Sequence, residues 1–241
     1  MAELGVEARR REILTAALAL ADERGLDALS MRAVAARVGV TPMALYPYVG
    51  NKDALLDGLV DLMLAELLPA AGTPGAWDVR LRAIAHAGRA LAHRHPAAYP
   101  LLLSRPAVTP DAVRLVDALY RALLDAGVPA AQVPRLERLV STYVLGYAIG
   151  EITGRFAPAD PRRHARATAA GGAAPAHQEL SGVLAQPPDW DTEFTAGLDD
   201  LLHVITSHAH AHATRGVPAE QAAAARPATT RDRPIRGSAS R

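Results

Sequence analysis

The chain has 241 residues, a formal net charge of +1, no cysteine, and 25 arginines beside a single lysine, Lys52. This length allows one or two domains, and the lack of cysteine excludes disulfides, thiolate nucleophiles and cysteine-based zinc sites. Half of the residues are hydrophobic, which favours a globular chain. The near-zero net charge at first argues against a nucleic-acid partner.

Targeting signals are missing from the sequence. Residues 1–11 contain no apolar stretch of the signal-peptide type, and no apolar run reaches the roughly 18 residues of a membrane span. We therefore expect a cytoplasmic protein that does not enter a membrane.

The chain has the composition and periodicity of an all-α protein. Alanine, a strong helix former, accounts for 52 residues, and runs of alternating apolar and polar residues, which are typical of strands, are nearly absent. The spacing of apolar residues predicts helices over residues 7–25, 30–37, 41–47, 51–68, 77–94, 97–104, 109–126, 132–156, 176–186 and 190–212.

Polar caps, prolines and glycines mark several predicted helix ends. Ser30, Asn51 and Thr109 are N-cap residues by type and position. Thr41 followed by Pro42 has the same cap-then-proline pattern. These signals divide the chain into four segments: residues 1–50, a helix over 51–68, a larger helical part over 69–213, and a disordered arginine-containing tail over 214–241. Residues 157–175 are predicted to form a mobile loop.

Residues 30–47 have the pattern of a helix-turn-helix, in which two short helices flank the tight turn at Gly39. Glycine can adopt the left-handed conformation that such a turn needs. We expect the first helix to brace the motif and the second to enter the major groove of DNA, with Leu45 as its buried anchor.

The second helix begins with side chains that carry few polar groups, which allows its backbone to approach base edges closely. Apolar side chains there can contact thymine methyl groups, tyrosine hydroxyls can contact phosphates, and Lys52 can hold a phosphate at the start of the next helix. Arg32 suits a guanine edge or a phosphate. Pro47 predicts that the recognition helix ends at Tyr46. The candidate DNA-binding residues are Arg32, Thr41, Pro42, Met43, Ala44, Tyr46, Tyr48 and Lys52.

Residues 29–57 resemble the DNA-binding signature of TetR-family transcriptional repressors, through the glycine turn, Leu45-Tyr46, the aromatic residue at 48, Lys52 and Leu55-Leu56. Residues 68–72, 143–147 and 194–202 are similar, more loosely, to the tetracycline-repressor type of C-terminal domain. The resemblance implies a homodimer on a palindromic operator that a small ligand releases. It also implies a DNA-binding domain followed by a larger helical domain for ligand binding and dimerisation.

The resemblance places a small-molecule pocket among the C-terminal helices, and a pocket of this kind needs apolar walls with a few polar anchors. Any one of these residues could instead be an ordinary core side chain whose polar tip is solvated. The candidates are Trp77, His86, Arg89, His93, Leu102, Val116, Tyr120, Tyr143 and Tyr147.

Two long helices, over residues 132–156 and 190–212, carry continuous apolar stripes. These stripes could pack only within one chain, but the resemblance implies a four-helix dimer interface built from both helices and their copies. The candidate interface residues are Val140, Val144, Phe194, Leu198, Leu201, Leu202 and Ile205.

The main alternative is a helical small-molecule-binding protein or enzyme that kept this fold without DNA binding. Against an enzyme, the sequence has no nucleophile elbow, phosphate loop or paired-carboxylate motif, and we predict no cofactor. His208 and His212 share a helix face, which suits a metal, but no third ligand has matching spacing, so we predict no metal site for the cluster that they form with His210.

Charge is distributed unevenly along the chain. Residues 1–52 carry seven basic and six acidic side chains, and residues 214–241 carry six and two. The segment with the helix-turn-helix pattern therefore has to place its few cations well, and we expect modest non-specific affinity per subunit.

Overall fold

A computed structural model describes residues 2–105, 109–155 and 175–215 of the chain. In this part of the chain all regular structure is helical, which confirms the predicted all-α class. The helices are α1 (Ala2–Arg24), α2 (Met31–Arg37), α3 (Tyr46–Val49), α4 (Lys52–Ala65), α5 (Leu68–Ala71), α6 (Trp77–Arg94), α7 (Leu101–Ser104), α8 (Pro110–Asp125), α9 (Val133–Ile152), α10 (Pro175–Glu179), α11 (Ser181–Leu184) and α12 (Trp190–Arg215).

The N-terminal helices α1 to α3 pack around a small apolar core and rest on α4. Ile13 and Ala17 of α1, Val34 of α2 and Leu45 before α3 are fully buried. Their positions follow the spacing that the sequence predicts, because residues three or four apart share a helix face. The helix-turn-helix is therefore held by its own short-range apolar pattern.

Three predicted N-caps form hydrogen bonds. The Ser30 Oγ accepts one from the Ala33 amide (3.2 Å), the Asn51 Oδ1 from the Ala54 amide (2.9 Å), and the Thr109 Oγ1 from the Ala112 amide (3.4 Å). Each bond satisfies one of the donors that a helix leaves unpaired at its start. Thr41 has the extended backbone of a cap residue, but its side chain makes no capping bond.

Proline changes two of the predicted boundaries. The prediction that the recognition helix ends at Tyr46 is wrong: residues Pro42–Leu45 form a 3₁₀ turn, and an α-helical turn begins at Tyr46. Pro47 then lies in the first turn, where its missing amide is not needed. The helix predicted over 51–68 ends at Ala65, and a new turn begins at Leu68 with Pro69 in its first turn.

The C-terminal helices form a second layer, in which α6 packs on α8 and α9, and α12 packs on α9. The helix predicted over 132–156 ends at Ile152, and Gly154 follows with φ +64°. The predicted helix over 176–186 is two short helices, α10 and α11, while α12 extends to Arg215. Most of the predicted loop (157–175) and tail (214–241) lies outside the described residues.

Candidate nucleic-acid interface and internal cavity

The helix-turn-helix presents a nearly continuous exposed segment after its turn. Gly39 adopts φ +71°, the left-handed conformation that lets the chain reverse between α2 and the next helical turn. Leu45 is fully buried and fixes the segment to the core, whereas Met43 is 75% exposed. An apolar side chain held outward in this way is available to a partner surface.

Seven of the eight predicted DNA-contact residues are exposed in the structure. Tyr48 differs from the rest, because it is half-buried and its ring packs against the core of the helix-turn-helix. Its ring therefore also supports the fold. The exposed members of the set are Arg32, Thr41, Pro42, Met43, Ala44, Tyr46 and Lys52.

The cations of this unit divide into two groups. Arg37 donates two hydrogen bonds to the Glu23 carboxylate (2.5 and 2.6 Å), so its charge is used to join α2 to α1. Arg32 and Lys52, in contrast, form no ion pair with any residue that the structure describes. Lys52 is also the first residue of α4, where the helix dipole adds positive potential.

A cavity of about 140 Å³ lies between α4, α6, α8 and α9. Its wall is almost entirely apolar, and the only polar side chains in the wall, within the described residues, are those of Tyr99 and Ser141. The lining residues are Val60, Leu64, Leu67, Leu81, Ile84, Ala85, Gly88, Tyr99, Leu102, Leu119, Val140, Ser141, Val144 and Leu145.

A second cluster, made of Arg89, Glu151 and aromatic side chains, joins the start of α12 to α6 and α9. Arg89 donates two hydrogen bonds of 2.7 Å to the Glu151 carboxylate and one of 2.7 Å to Asp191, and its guanidinium lies 5.2 Å from the centre of the Phe194 ring. The hydrogen bonds from Arg89 hold the pKa of Glu151 below its usual value. The pair therefore stays ionised at neutral pH.

Tyrosine hydroxyls complete this Arg89–Glu151 cluster. Tyr143 donates to the Phe194 carbonyl (2.9 Å) and Tyr147 to the Trp190 carbonyl (3.1 Å). Gly197 allows this approach, because an added Cβ would collide with the Tyr143 hydroxyl. The cluster consequently fixes α12 in place and leaves these tyrosine hydroxyls already paired.

Family models match both halves of the chain. The family model described as "Bacterial regulatory proteins, tetR family" matches residues 13–59. The model described as "Tetracyclin repressor-like, C-terminal domain" matches residues 68–208, and this second match alone covers more than half of the sequence. The chain belongs to the TetR family. This membership confirms the resemblance drawn from residues 29–57.

Several individual proteins are similar to this TetR-family chain. An HTH-type transcriptional regulator of Saccharopolyspora erythraea is 32% identical and aligns over 79% of the chain and 81% of its own length. The HTH-type transcriptional repressor DrrR1 of Streptomyces coeruleorubidus is 33% identical over 58% of the chain. The chain spans about half (52%) of the length of DrrR1. The crystal structure of a possible TetR-family transcriptional regulator from Streptomyces coelicolor is similar, with a TM-score of 0.70 and 29% sequence identity. The match covers 82% of this chain and 98% of that one.

The effector-pocket residues predicted for this TetR-family protein remain a prediction, and the structure shows where they lie relative to the cavity. Of the set, only Leu102 lines the cavity. His86, Arg89, Tyr143 and Tyr147 instead belong to the Arg89–Glu151 cluster or contact its Phe194 ring. The remaining candidates lie elsewhere on α6 and α8: Trp77, His93, Val116 and Tyr120.

The predicted dimer-interface residues remain a prediction, and the structure gives their burial within one chain. All except Leu201 are buried there: Val140, Val144, Phe194, Leu198, Leu202 and Ile205. Val140 and Val144 line the cavity, which explains their apolar character without a second subunit. The outward faces of the same two helices carry Leu139 (39% exposed) and Val204 (40% exposed).

Sequence reasoning overlooked Tyr99, Arg105 and the partners of His95. Arg105 follows α7 and donates to Asp57 (2.6 Å) and Asp53 (3.0 Å) on α4. His95, at the end of α6, contacts Asp22 of α1 (2.8 Å) and Glu66 after α4 (3.2 Å). No local signal identifies these bridges, since each joins residues far apart in the sequence.

Two further observations concern metal and membrane. His208 shares a hydrogen bond with Arg135 (2.9 Å), whereas the side chains of His210 and His212 lie outside the described residues. Where the structure describes a helix, that helix is too short or too polar to cross a bilayer.

Proposed function

We propose that this TetR-family protein represses transcription by binding a palindromic operator as a homodimer, and that a small effector in its regulatory domain releases the DNA. Residues 1–50 act as the DNA-binding domain, 51–68 as the connecting helix and 69–213 as the regulatory domain. The observation that carries this proposal is the exposed segment after Gly39, which Arg32 precedes and Lys52 follows in sequence, both exposed and without an ion pair among the residues that the structure describes.

The geometry suits a division between base contacts and phosphate contacts. Met43 and Ala44 are exposed at the start of the recognition segment, where small or apolar side chains meet thymine methyl groups. Lys52 and the first amides of α4 meet a phosphate, and Arg32 on α2 contacts a phosphate or a guanine edge. Few hydrogen-bond donors face the bases, so shape and methyl contacts supply much of the specificity.

Selection of bound sequences from random duplex DNA tests this function. We expect an inverted repeat whose two halves lie about one helical turn apart, because one recognition segment from each subunit enters a successive major groove. Replacing Met43 by Gln should change the preferred base at one position of each half-site. A matched control is Val113→Ala, which alters an exposed apolar residue of α8.

The outcomes of this selection are distinct. An identical consensus for wild type and Met43→Gln would remove Met43 from base reading. Enrichment of no sequence at all would contradict the DNA-binding function and favour the alternative of a helical small-molecule-binding protein or enzyme. Enrichment of a single, non-repeated half-site would contradict the dimer.

Dimerisation is supported by the outward faces of α9 and α12. Leu139 and Val204 expose apolar surface on two long neighbouring helices, and four such helices from two subunits can form a bundle. Leu201, half-buried on α12, is the one residue of the predicted interface that retains exposed surface.

The connecting helix α4 offers a route from the cavity to the DNA. Val60 and Leu64 of α4 line the cavity, so a ligand there contacts the same helix whose first residue is Lys52. Leu102 of α7 also lines the cavity, and Arg105 at the end of α7 holds the first turns of α4 through Asp53 and Asp57. A ligand shifts DNA affinity only through its different affinity for the two positions of α4.

Breaking the Arg105 bridge should loosen the start of α4. In Arg105→Gln we expect amide hydrogen exchange in residues 53–57 to rise about fivefold, because an ion pair of this exposure contributes about 1 kcal/mol to local stability. Arg80→Gln is the control, since Arg80 pairs with Asp125 (2.6 Å), away from α4. Unchanged exchange in Arg105→Gln would show that the bridge does not hold α4.

A further inference from the structure

His95, the residue directly after α6, links three distant parts of the chain through its ring nitrogens. The Nδ1 atom lies 2.8 Å from a carboxylate oxygen of Asp22 on α1. The Nε2 atom lies 3.2 Å from a carboxylate oxygen of Glu66, which directly follows α4. This contact, here called the His95 bridge, therefore joins the proposed DNA-binding domain, the connecting helix and the regulatory domain.

The geometry of the His95 bridge requires a doubly protonated ring. A neutral imidazole has one N–H donor and one acceptor nitrogen, whereas the charged form donates from both nitrogens. Both partners of His95 are carboxylates, which can only accept hydrogen bonds when they are ionised. A neutral ring would turn a lone pair toward one of them, so only the imidazolium completes the bridge.

The His95 bridge is largely shielded from water. The His95 side chain is 14% exposed, and those of Asp22 and Glu66 are 24% and 34% exposed. Arg94 of α6 also donates to Glu66 (2.8 Å). Asp22 has no such second partner in the part of the chain that the structure describes, and one of its oxygens is buried without a hydrogen bond. Loss of the contact with His95 would therefore leave a half-buried carboxylate unpaired, which is unfavourable.

His95 is also connected to the cavity through the backbone. Its carbonyl accepts a hydrogen bond from the amide of Tyr99 (2.8 Å), and Tyr99 lines the cavity. A ligand that displaces this turn would therefore move the His95 ring relative to Asp22. This connection leads to α1, and it is separate from the contact between Arg105 and the first turns of α4.

We propose that the protonated His95 ring is a positioning residue for operator binding, which holds the DNA-binding domain against the regulatory domain and makes operator affinity depend on pH. Because it assigns His95 a part in operator binding, this inference rests on the proposed function. The His95 bridge fixes α1 relative to α6 before DNA is met, so binding costs less conformational freedom. Histidine side chains commonly lose their charge between about pH 5 and 8, so the bridge is complete at low pH and is lost as the pH rises.

Nitrogen NMR of the full chain without DNA tests the protonation of the ring. We expect both ring nitrogens of His95 to carry protons at about pH 6 and only one of them at about pH 8.5. The signals that disappear in His95→Gln identify the residue. A neutral His95 ring at about pH 6 would overturn the proposal.

Amide hydrogen exchange tests whether the His95 bridge holds α1. After correction for the intrinsic effect of pH, protection of residues 18–24 in the wild type should fall about tenfold between about pH 6 and 8.5, the effect of losing one hydrogen bond to a charged group. His95→Gln should have low protection at both pH values. Asp22→Asn, which removes the charge of the partner, should do the same. His203→Gln, which replaces an exposed histidine of α12, is the matched control and should behave as the wild type does.

Operator affinity at the same two pH values and constant salt tests the positioning role. Fluorescence anisotropy with the DNA selected above should show about tenfold weaker binding by the wild type at about pH 8.5 than at about pH 6. His95→Gln should bind weakly at both pH values, because its side chain does not titrate. His203→Gln should keep the pH dependence of the wild type.

The possible results separate the role of His95 from the proposed function. Unchanged protection in folded His95→Gln and Asp22→Asn shows that the His95 bridge does not hold α1. Operator binding that is equal in His95→Gln and the wild type at both pH values refutes only the positioning role. Selection of no operator at all refutes the proposed function, while NMR and hydrogen exchange still decide whether the bridge forms.

Discussion

Lys52→Ala is expected to weaken operator binding about 100-fold for the proposed dimer. A hydrogen bond to a charged group contributes roughly 1.5–3 kcal/mol, which is about tenfold or more for each of the two subunits. The Ala54 amide donates the N-cap hydrogen bond to Asn51, and this bond does not involve the Lys52 side chain. The variant should therefore still begin α4 at the same residue. The loss should be similar on every DNA sequence, because a phosphate contact carries no base information.

Salt dependence identifies the origin of that loss. The slope of log affinity against log salt should become shallower by about two for the proposed dimer, since about one counterion is released at each phosphate contact. Fluorescence anisotropy over a series of salt concentrations measures both the operator affinity and its dependence on salt. Lys52→Arg should keep most of the affinity, and Arg121→Ala, on the exposed part of α8, should leave it unchanged. An unaltered slope in Lys52→Ala would exclude a phosphate contact.

The helix-turn-helix could be predicted from sequence because its determinants are local. Ser30 caps α2, Gly39 reverses the chain, and Leu45 is buried by a spacing that the sequence shows directly. The wrong prediction that Pro47 ends the recognition helix at Tyr46 has a local cause too. The turn before it is 3₁₀ rather than α-helical, so a new helical turn begins at Tyr46 and tolerates the proline.

The cavity could not be predicted in the same way. The apolar stripe of α9 contains both Val140 and Tyr143, but only the packing of α6 and α12 decides that Val140 lines the cavity and Tyr143 bonds to the Phe194 carbonyl. Tyr99 gives no periodic signal, since it lies in a turn between two prolines. Long-range packing therefore determines the cavity, while the helix-turn-helix segment is encoded over about twenty neighbouring residues.

Arg89→Met is expected to lower the free energy of unfolding by about 1.5–3 kcal/mol, the usual contribution of hydrogen bonds between charged groups in a partly buried pair. The side chains of Arg89 and Glu151 are 12% and 8% exposed, so the variant leaves a partly buried carboxylate whose remaining ion-pair partner among the described residues is His93 (3.2 Å). Urea unfolding at fixed protein concentration measures the change. Arg114→Ala, which breaks an exposed pair with Asp111, should change stability by less than about 1 kcal/mol.

The effect of Arg89→Met should depend on pH in a defined direction. In the wild type the pKa of Glu151 is lowered, so its contribution to stability is complete above the ordinary value of 4.5 and is lost as the pH falls through the lowered value. In the variant, burial without Arg89 raises that pKa, and protonation relieves the unpaired charge. The difference between the two proteins should therefore shrink as the pH is lowered from 7.5 to 5.

A double variant, Arg89→Met with Glu151→Leu, decides whether the pair stabilises the fold or only fixes its geometry. Replacing both charges with apolar side chains removes the desolvation cost, so most of the lost stability should return. The double variant should also lose the pH dependence, because no carboxylate remains to titrate. If the double variant stays as unstable as Arg89→Met at every pH, the loss comes from the contact of Arg89 with the Phe194 ring and with Asp191, because those are the contacts that both variants lack.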